Sequence, residues 1–128
     1  MSSLIKICGL STPETLDAAL AAGADMVGFV SYPRSPRHVP LDLGAALSRR
    51  AAGRAIRVAL VVNPTDADLD ALVPALDPDL IQLHGAESPE RVADIRARYG
   101  RPVMKAVGVA READLDAARA FAEVADRI

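Results

Sequence analysis

The chain has 128 residues, of which 51% are hydrophobic and 25% charged, with a formal net charge of -2. That is the balance of an ordinary soluble globular protein, with enough chain for one hydrophobic core. Only four aromatics and a slightly acidic total leave no footprint for nucleic acid. No apolar run approaches the roughly 20 residues of a membrane helix, so neither nucleic acid nor a membrane is an expected partner. The opening Met-Ser-Ser-Leu-Ile-Lys lacks the pattern of a secretory signal, and a single cysteine excludes an internal disulfide. A lone thiol suits a reducing, cytoplasmic setting.

A strand–helix alternation runs through the sequence. Leu4–Cys8 alternates, which places Lys6 and Cys8 on one strand face and Ile5 and Ile7 on the other. Thr12-Pro13-Glu14 predicts a cap, a first-turn proline and an acidic first turn for a helix over Thr15–Ala22, stopped by Gly23. A strand over Met26–Ser31 leads to a helix over Pro40–Arg50, with Leu41, Leu43, Ala46 and Leu47 at helical spacing. A third strand covers Arg57–Val62. Asn63-Pro64-Thr65 then opens a helix over Asp66–Leu76. The fourth strand, Leu80–Leu83, is followed by Ser88-Pro89-Glu90 and a helix bearing Val92, Ile95 and Tyr99, ended by Gly100. The fifth strand is expected over Val103–Val107. Its helix, Arg111–Val124, presents Leu115, Ala118, Phe121 and Ala122 on one face, and Arg127–Ile128 begins a sixth strand.

Strands that are apolar on both faces and joined through helices must run parallel, with right-handed crossovers. The βα unit recurs about every 25 residues with no linker or low-complexity tract between units. The fold class is therefore α/β, and residues 1–128 read as one domain. Two architectures fit: an open doubly wound sheet, or part of a TIM (β/α)8 barrel. A full barrel needs about 200 residues or more, so the second reading is a barrel truncated after five βα units and the start of strand six.

Candidate chemistry gathers at strand ends. Cys8 ends the first strand before Gly9, where α/β folds keep their reactive groups, although a lone cysteine is also a common small core residue. Thirteen of the fifteen basic residues are arginine, and the two lysines, Lys6 and Lys105, both fall in apolar strands. Each is either a site residue or a strand-end lysine whose stem lies along apolar surface. Gln82 and His84 share a face of the fourth strand, and His84 reads equally as a substrate contact or a hydrogen-bonded structural residue. His38 reads as a solvated loop residue. No His/Cys/Asp/Glu cluster has metal-ligand spacing, and no glycine-rich phosphate loop indicates a nucleotide cofactor.

Read in order, Lys6-Ile7-Cys8-Gly9-Leu10, Gly23-Ala24-Asp25-Met26-Val27-Gly28-Phe29, Ser35-Pro36-Arg37-His38-Val39, Val61-Val62-Asn63, Gln82-Leu83-His84-Gly85 and Lys105-Ala106 resemble the phosphoribosylanthranilate isomerase family of tryptophan biosynthesis. The resemblance covers the chain in one register. It implies a (β/α)8 barrel that carries out an Amadori rearrangement of a small phosphosugar-anthranilate substrate, without a cofactor. It further implies Cys8 as the general base and Arg37 as the grip on the anthranilate carboxylate. Arg34 is the nearest competitor for that grip, and the Ser-Pro-Arg motif points to Arg37. The family's acid is an aspartate at the carboxyl end of strand six, and its phosphate loops follow strands seven and eight. Asp126 lies at the amino end of that strand and is not given the acid role, so this chain alone is expected to be inactive. Two other readings stand beside this one. The first is a noncatalytic partial barrel that self-associates into a homo-oligomer through its open edges. The second is another phosphate-binding barrel, such as an indole-glycerol-phosphate synthase or a ribulose-phosphate epimerase, which the first-strand cysteine argues against.

Overall fold

The computed structural model describes residues 3–128. Five strands and five helices alternate: β1 (Lys6–Cys8), α1 (Pro13–Ala21), β2 (Met26–Ser31), α2 (Leu41–Ala51), β3 (Ile56–Val61), α3 (Asp66–Leu76), β4 (Leu80–Leu83), α4 (Pro89–Tyr99), β5 (Val103–Lys105) and α5 (Asp114–Arg119). All the strands pair in parallel in the order β1-β2-β3-β4-β5. A flavodoxin-like sheet would instead place β1 between β2 and β3. Beyond β5, Arg127 bridges Met104 in parallel, as the start of a further strand would.

The two sheet faces have different fates, and this separates a barrel from a doubly wound sheet. Val27, Phe29, Ala59, Val61, Ile81, Leu83 and Val103 point to one face and pack with Leu16, Leu47, Leu69, Leu72, Val92 and Ile95 of the helices in one core. The opposite face carries a separate apolar cluster of Met26, Val58 and Leu80, with Met104 against it, and no helix contributes to it. Helices therefore cover one side only, which is the outside of a (β/α)8 barrel; the bare face is its interior.

Local chemistry explains the helix starts. Thr12 and Ser88 accept from the backbone N–H groups of Thr15 and Arg91, at 3.2 and 3.1 Å, each just before a first-turn proline. Thr65 and Asp68 form a reciprocal capping box at α3. The amino ends of the strands are held by a repeated device. Asp25, Asp79 and Asp126 lie 20 to 23 residues beyond Ile5, Arg57 and Val103, and accept their backbone N–H groups at 2.8, 2.9 and 2.8 Å. Each odd-numbered strand thus has a backbone N–H at its amino end satisfied by an aspartate from the segment leading toward the next strand position.

Several boundaries shift by one or two residues from expectation, and the changes at β1, β5 and the last helix matter most. The β1 ladder starts at Lys6 rather than Leu4, and β5 ends at Lys105 rather than Val107. The last helix is six residues long, not the expected Arg111–Val124, because its apolar face is thin. Phe121 is buried, but Leu115 is 43% exposed, and residues after Ala120 continue as turns. Asp114 begins this short helix by accepting from the N–H groups of Ala110 and Arg111 at 2.8 and 2.9 Å.

Candidate active site

On β1 the alternation holds, and the Lys6 and Cys8 side chains both reach the barrel-interior face opposite Gly28 of β2. A Cβ at Gly28 would lie 3.1 Å from Cys8 Sγ and 3.3 Å from Lys6 Nζ, so the absent side chain leaves space that both groups share. Cys8 is half-buried with a free thiol, which sets it apart from a sealed core cysteine. Among the described residues Lys6 has no acidic partner within ion-pair distance.

The loop after β2 brings in the next cation. It is stitched to itself: Ser35 N–H donates to Tyr32 O at 2.8 Å, His38 N–H to Ser35 O at 3.1 Å, and Val39 N–H to Val30 O at 2.9 Å. His38 belongs to this stitching and is not the solvated loop residue expected. Its Nδ1 accepts from Tyr32 N–H at 2.9 Å and the residue is half-buried, so the proton of the neutral ring sits on Nε2. The loop folds Arg37 back over β1, where its Nη1 donates to the carbonyl oxygen of Cys8 at 3.2 Å. Gly9 makes this possible. Its φ is +81°, and a Cβ there would run into the Arg37 guanidinium. Arg34 makes no such contact.

Across the same face, Gln82 of β4 lies level with Leu60 and Met104, and His84 follows at the carboxyl edge. Gln82 is 9% exposed and its Oε1 has no hydrogen-bond partner. His84 is exposed, held through its backbone N–H to Val61 O at 2.9 Å. Lys6, Cys8, Gln82, His84 and the Arg37 loop therefore share one face and its carboxyl edge.

Lys105 does not join them. Together with Val103 it points to the helix side of the sheet, where Nζ donates to Glu87 Oε1 at 2.9 Å and to Gly85 O at 2.7 Å beneath the Phe121 ring. Glu87, missed in the sequence, is the hub of this cluster: its carboxylate also accepts from Asn63 N–H at 2.8 Å and Gly85 N–H at 2.9 Å. Burial alone would push the Glu87 carboxyl up, but Lys105 and the backbone donors outweigh it and hold the group below the ordinary glutamate value. Asn63 Oδ1 accepts from Ala86 N–H at 2.8 Å, so the loops after β3 and β4 and the end of β5 are tied together. The available signal was a lysine inside an apolar strand, which demands a nearby acid.

A corner with a thiol, an ammonium and a guanidinium, and with no carboxylate paired to either cation among the described residues, suits an anionic substrate and a proton-accepting sulfur. No group of three or more His, Cys, Asp or Glu side chains among the described residues is arranged to hold a metal ion. The family model described as N-(5'-phosphoribosyl)anthranilate isomerase matches residues 5–128. The chain belongs to this family.

Relatives named N-(5'-phosphoribosyl)anthranilate isomerase include one from Azorhizobium caulinodans, 66% identical over all 128 residues, and one from Bradyrhizobium diazoefficiens at 59%. The chain spans 56% and 57% of their respective lengths. A crystal structure of phosphoribosyl anthranilate isomerase in complex with reduced 1-(o-carboxyphenylamino)-1-deoxyribulose 5-phosphate superposes with a TM-score of 0.90 at 31% identity. That match covers 99% of this chain and 66% of the other. With that superposition and the sheet order, the TIM-barrel expectation holds over the chain's five βα units.

Proposed function

We propose that a protein carrying this chain at the full length of its relatives, hereafter the full-length protein, isomerises N-(5'-phosphoribosyl)anthranilate to 1-(2-carboxyphenylamino)-1-deoxyribulose 5-phosphate. The observation that carries this reading is the contact between Arg37 and the Cys8 carbonyl, which sets an anion grip beside a free thiol at the carboxyl end of β1. Protonation of the furanose oxygen opens the ring and leaves a Schiff base, which acidifies the C2′ proton. Cys8 sulfur removes that proton to give an enolamine, and tautomerisation gives the ketone. One acid and one base on opposite sides of the sugar are the minimum equipment. The planar guanidinium of Arg37 suits a carboxylate, so its role is to hold the anthranilate ring end while the sugar reacts.

The acid is not assigned within this chain. Both oxygens of Asp126 are engaged at the amino end of the sheet, one by Val103 N–H at 2.8 Å and the other by Arg96 at 2.9 Å. No cofactor or metal is required, and a lone free thiol suits a reducing cytoplasm. The test is direct: full-length protein supplied with substrate labelled with carbon-13 at C2′ should convert that carbon to a ketone resonance in the NMR spectrum. Unchanged label would reject the proposal.

Self-association is a second reading with one observation in its favour. Leu4, Ile5 and Ile7 are 52%, 56% and 39% exposed along the edge strand β1, and Ile5 and Ile7 line an open apolar cleft with Leu10, Ala18 and Ala22. Light scattering across a dilution series of the 128-residue chain decides it: a concentration-dependent mass supports association, and a constant monomer mass rejects it.

A further inference from the structure

Among the described residues the exposed Arg37 guanidinium makes one hydrogen bond, to the Cys8 carbonyl oxygen at 3.2 Å, and no ion pair. A long side chain held by one contact keeps its bearing only if the backbone beneath it is fixed. That backbone lies in a closed ring of hydrogen bonds. Ser35 N–H donates to Tyr32 O at 2.8 Å, His38 N–H to Ser35 O at 3.1 Å, and Tyr32 N–H to His38 Nδ1 at 2.9 Å. Arg37 stands inside this ring, with its own N–H on Ser35 Oγ at 3.2 Å. Two of the three ring links join backbone to backbone and do not depend on side-chain identity. The third is the imidazole of His38. Tyr32 lies just past the last paired residue of β2, Ser31, and His38 Nδ1 is the acceptor its N–H finds.

We propose that His38 is a positioning residue for the isomerisation: its unprotonated Nδ1 closes the loop ring and so aims the Arg37 guanidinium at the aromatic carboxylate of the substrate. This rests on the isomerase reading above, in which Arg37 grips that carboxylate. A guanidinium meets a carboxylate through paired, parallel N–H donors, and the match is lost when the fork tilts or shifts. Opening the ring therefore weakens the hold on the carboxylate and leaves the sugar and phosphate contacts alone. The loop in this way sets the preference of the site for an aromatic amine that carries a carboxylate over one that does not. His38 acts through Arg37 and exchanges no proton with the substrate. What the loop needs from position 38 is an acceptor bonded directly to Cγ. Asparagine Oδ1 stands where Nδ1 does, whereas leucine fills similar space with no acceptor.

The experiment uses full-length protein as wild type, His38→Leu, His38→Asn, Arg37→Ala and the double variant His38→Leu with Arg37→Ala. Calorimetric titration compares two probes: the reduced product 1-(o-carboxyphenylamino)-1-deoxyribulose 5-phosphate, and its phenylamino counterpart lacking the carboxylate. His38→Leu should weaken the first probe roughly 10-fold and leave the second unchanged. It should raise KM by a similar factor while kcat stays within about 2-fold of wild type. His38→Asn should restore wild-type values, and in the Arg37→Ala background His38→Leu should cost nothing further. In wild-type protein with the reduced product bound, the nitrogen-15 spectrum should show His38 Nδ1 unprotonated, a readout that needs no folded variant. Equal weakening of both probes, no rescue by asparagine, additive losses in the double variant, or a protonated Nδ1 in the complex each overturns the inference. So does wild-type affinity of His38→Leu for the first probe, a result that leaves the isomerase reading standing. Wild-type protein that binds neither probe overturns the isomerase reading and this inference with it.

Discussion

Arg37 reaches across Gly9 to donate to the carbonyl oxygen of Cys8 at 3.2 Å, so a loop from the second βα unit is fastened directly onto the end of the first strand. Glycine is required twice over, by its left-handed φ of +81° and by the guanidinium that occupies the space of a Cβ. Gly9→Ala should therefore cost about 1–2 kcal/mol of stability from backbone strain alone. It should also raise KM in the full-length protein, because it dislodges the arginine. Arg37→Ala should raise KM with a smaller effect on kcat and leave the fold intact. Urea unfolding and steady-state kinetics on both variants separate these outcomes. A lowered kcat at unchanged KM in Arg37→Ala would contradict the proposed grip.

Lys105 and Glu87 form a pair with side chains only 4% and 1% exposed, so each is the other's counter-charge in a site where backbone groups of Asn63 and Gly85 supply the remaining hydrogen bonds. Removing one partner leaves a buried charge. Lys105→Met should destabilise by about 3–5 kcal/mol, and adding Glu87→Gln to it should recover part of that loss. A double-mutant cycle read by denaturant midpoints checks this. Additive losses would mean the pair is not coupled.

The same carboxylate sets an acid limb. The Glu87 value in the folded protein is held below its ordinary 4.5, so the unfolded chain takes up the proton first as pH falls. Its stabilisation is complete above that ordinary value and disappears as pH drops through the lower, folded one. Asp79, lowered by its contacts with Arg57 against the effect of burial, adds in the same direction. Stability should therefore fall steadily below about pH 4.5, and Glu87→Gln should flatten that decline. Unfolding free energies collected between pH 3 and pH 6 measure the slope directly.

The sheet's two ends should respond differently to mutation. Asp79 accepts from Arg57 N–H at 2.9 Å at the amino end, far from Cys8, and Asp79→Ala should cost about 1–3 kcal/mol without changing kcat or KM. A change in either constant, measured on folded variant, would show that the amino face communicates with the site.

What the sequence made legible follows from how local each cause is. The capped starts of α1, α3 and α4 were readable because Thr12, Thr65 and Ser88 act on residues three positions away. The shared face of Lys6 and Cys8 follows from strand alternation alone. The extent of α5 was not readable, since its length depends on burial that only Phe121 achieves. Lys105 and Glu87 are 18 residues apart in adjacent βα units, and their meeting depends on which sheet face each loop returns to. His38 misled because its partner, Tyr32 N–H, lies within an irregular loop that no periodicity describes. The Ser-Pro-Arg motif singled out Arg37 over Arg34, but the bond of Arg37 to the Cys8 carbonyl depends on a loop closing over Gly9, which no local pattern describes.

The most direct test of the account is Cys8→Ser in the full-length protein, because this chain's only cysteine is its proposed base. A hydroxyl is a far poorer proton acceptor than a thiol at neutral pH, so kcat should fall by about 10²-fold or more while the reduced product still binds with wild-type affinity. Near-wild-type turnover by the serine variant would remove Cys8 from the mechanism and contradict the account.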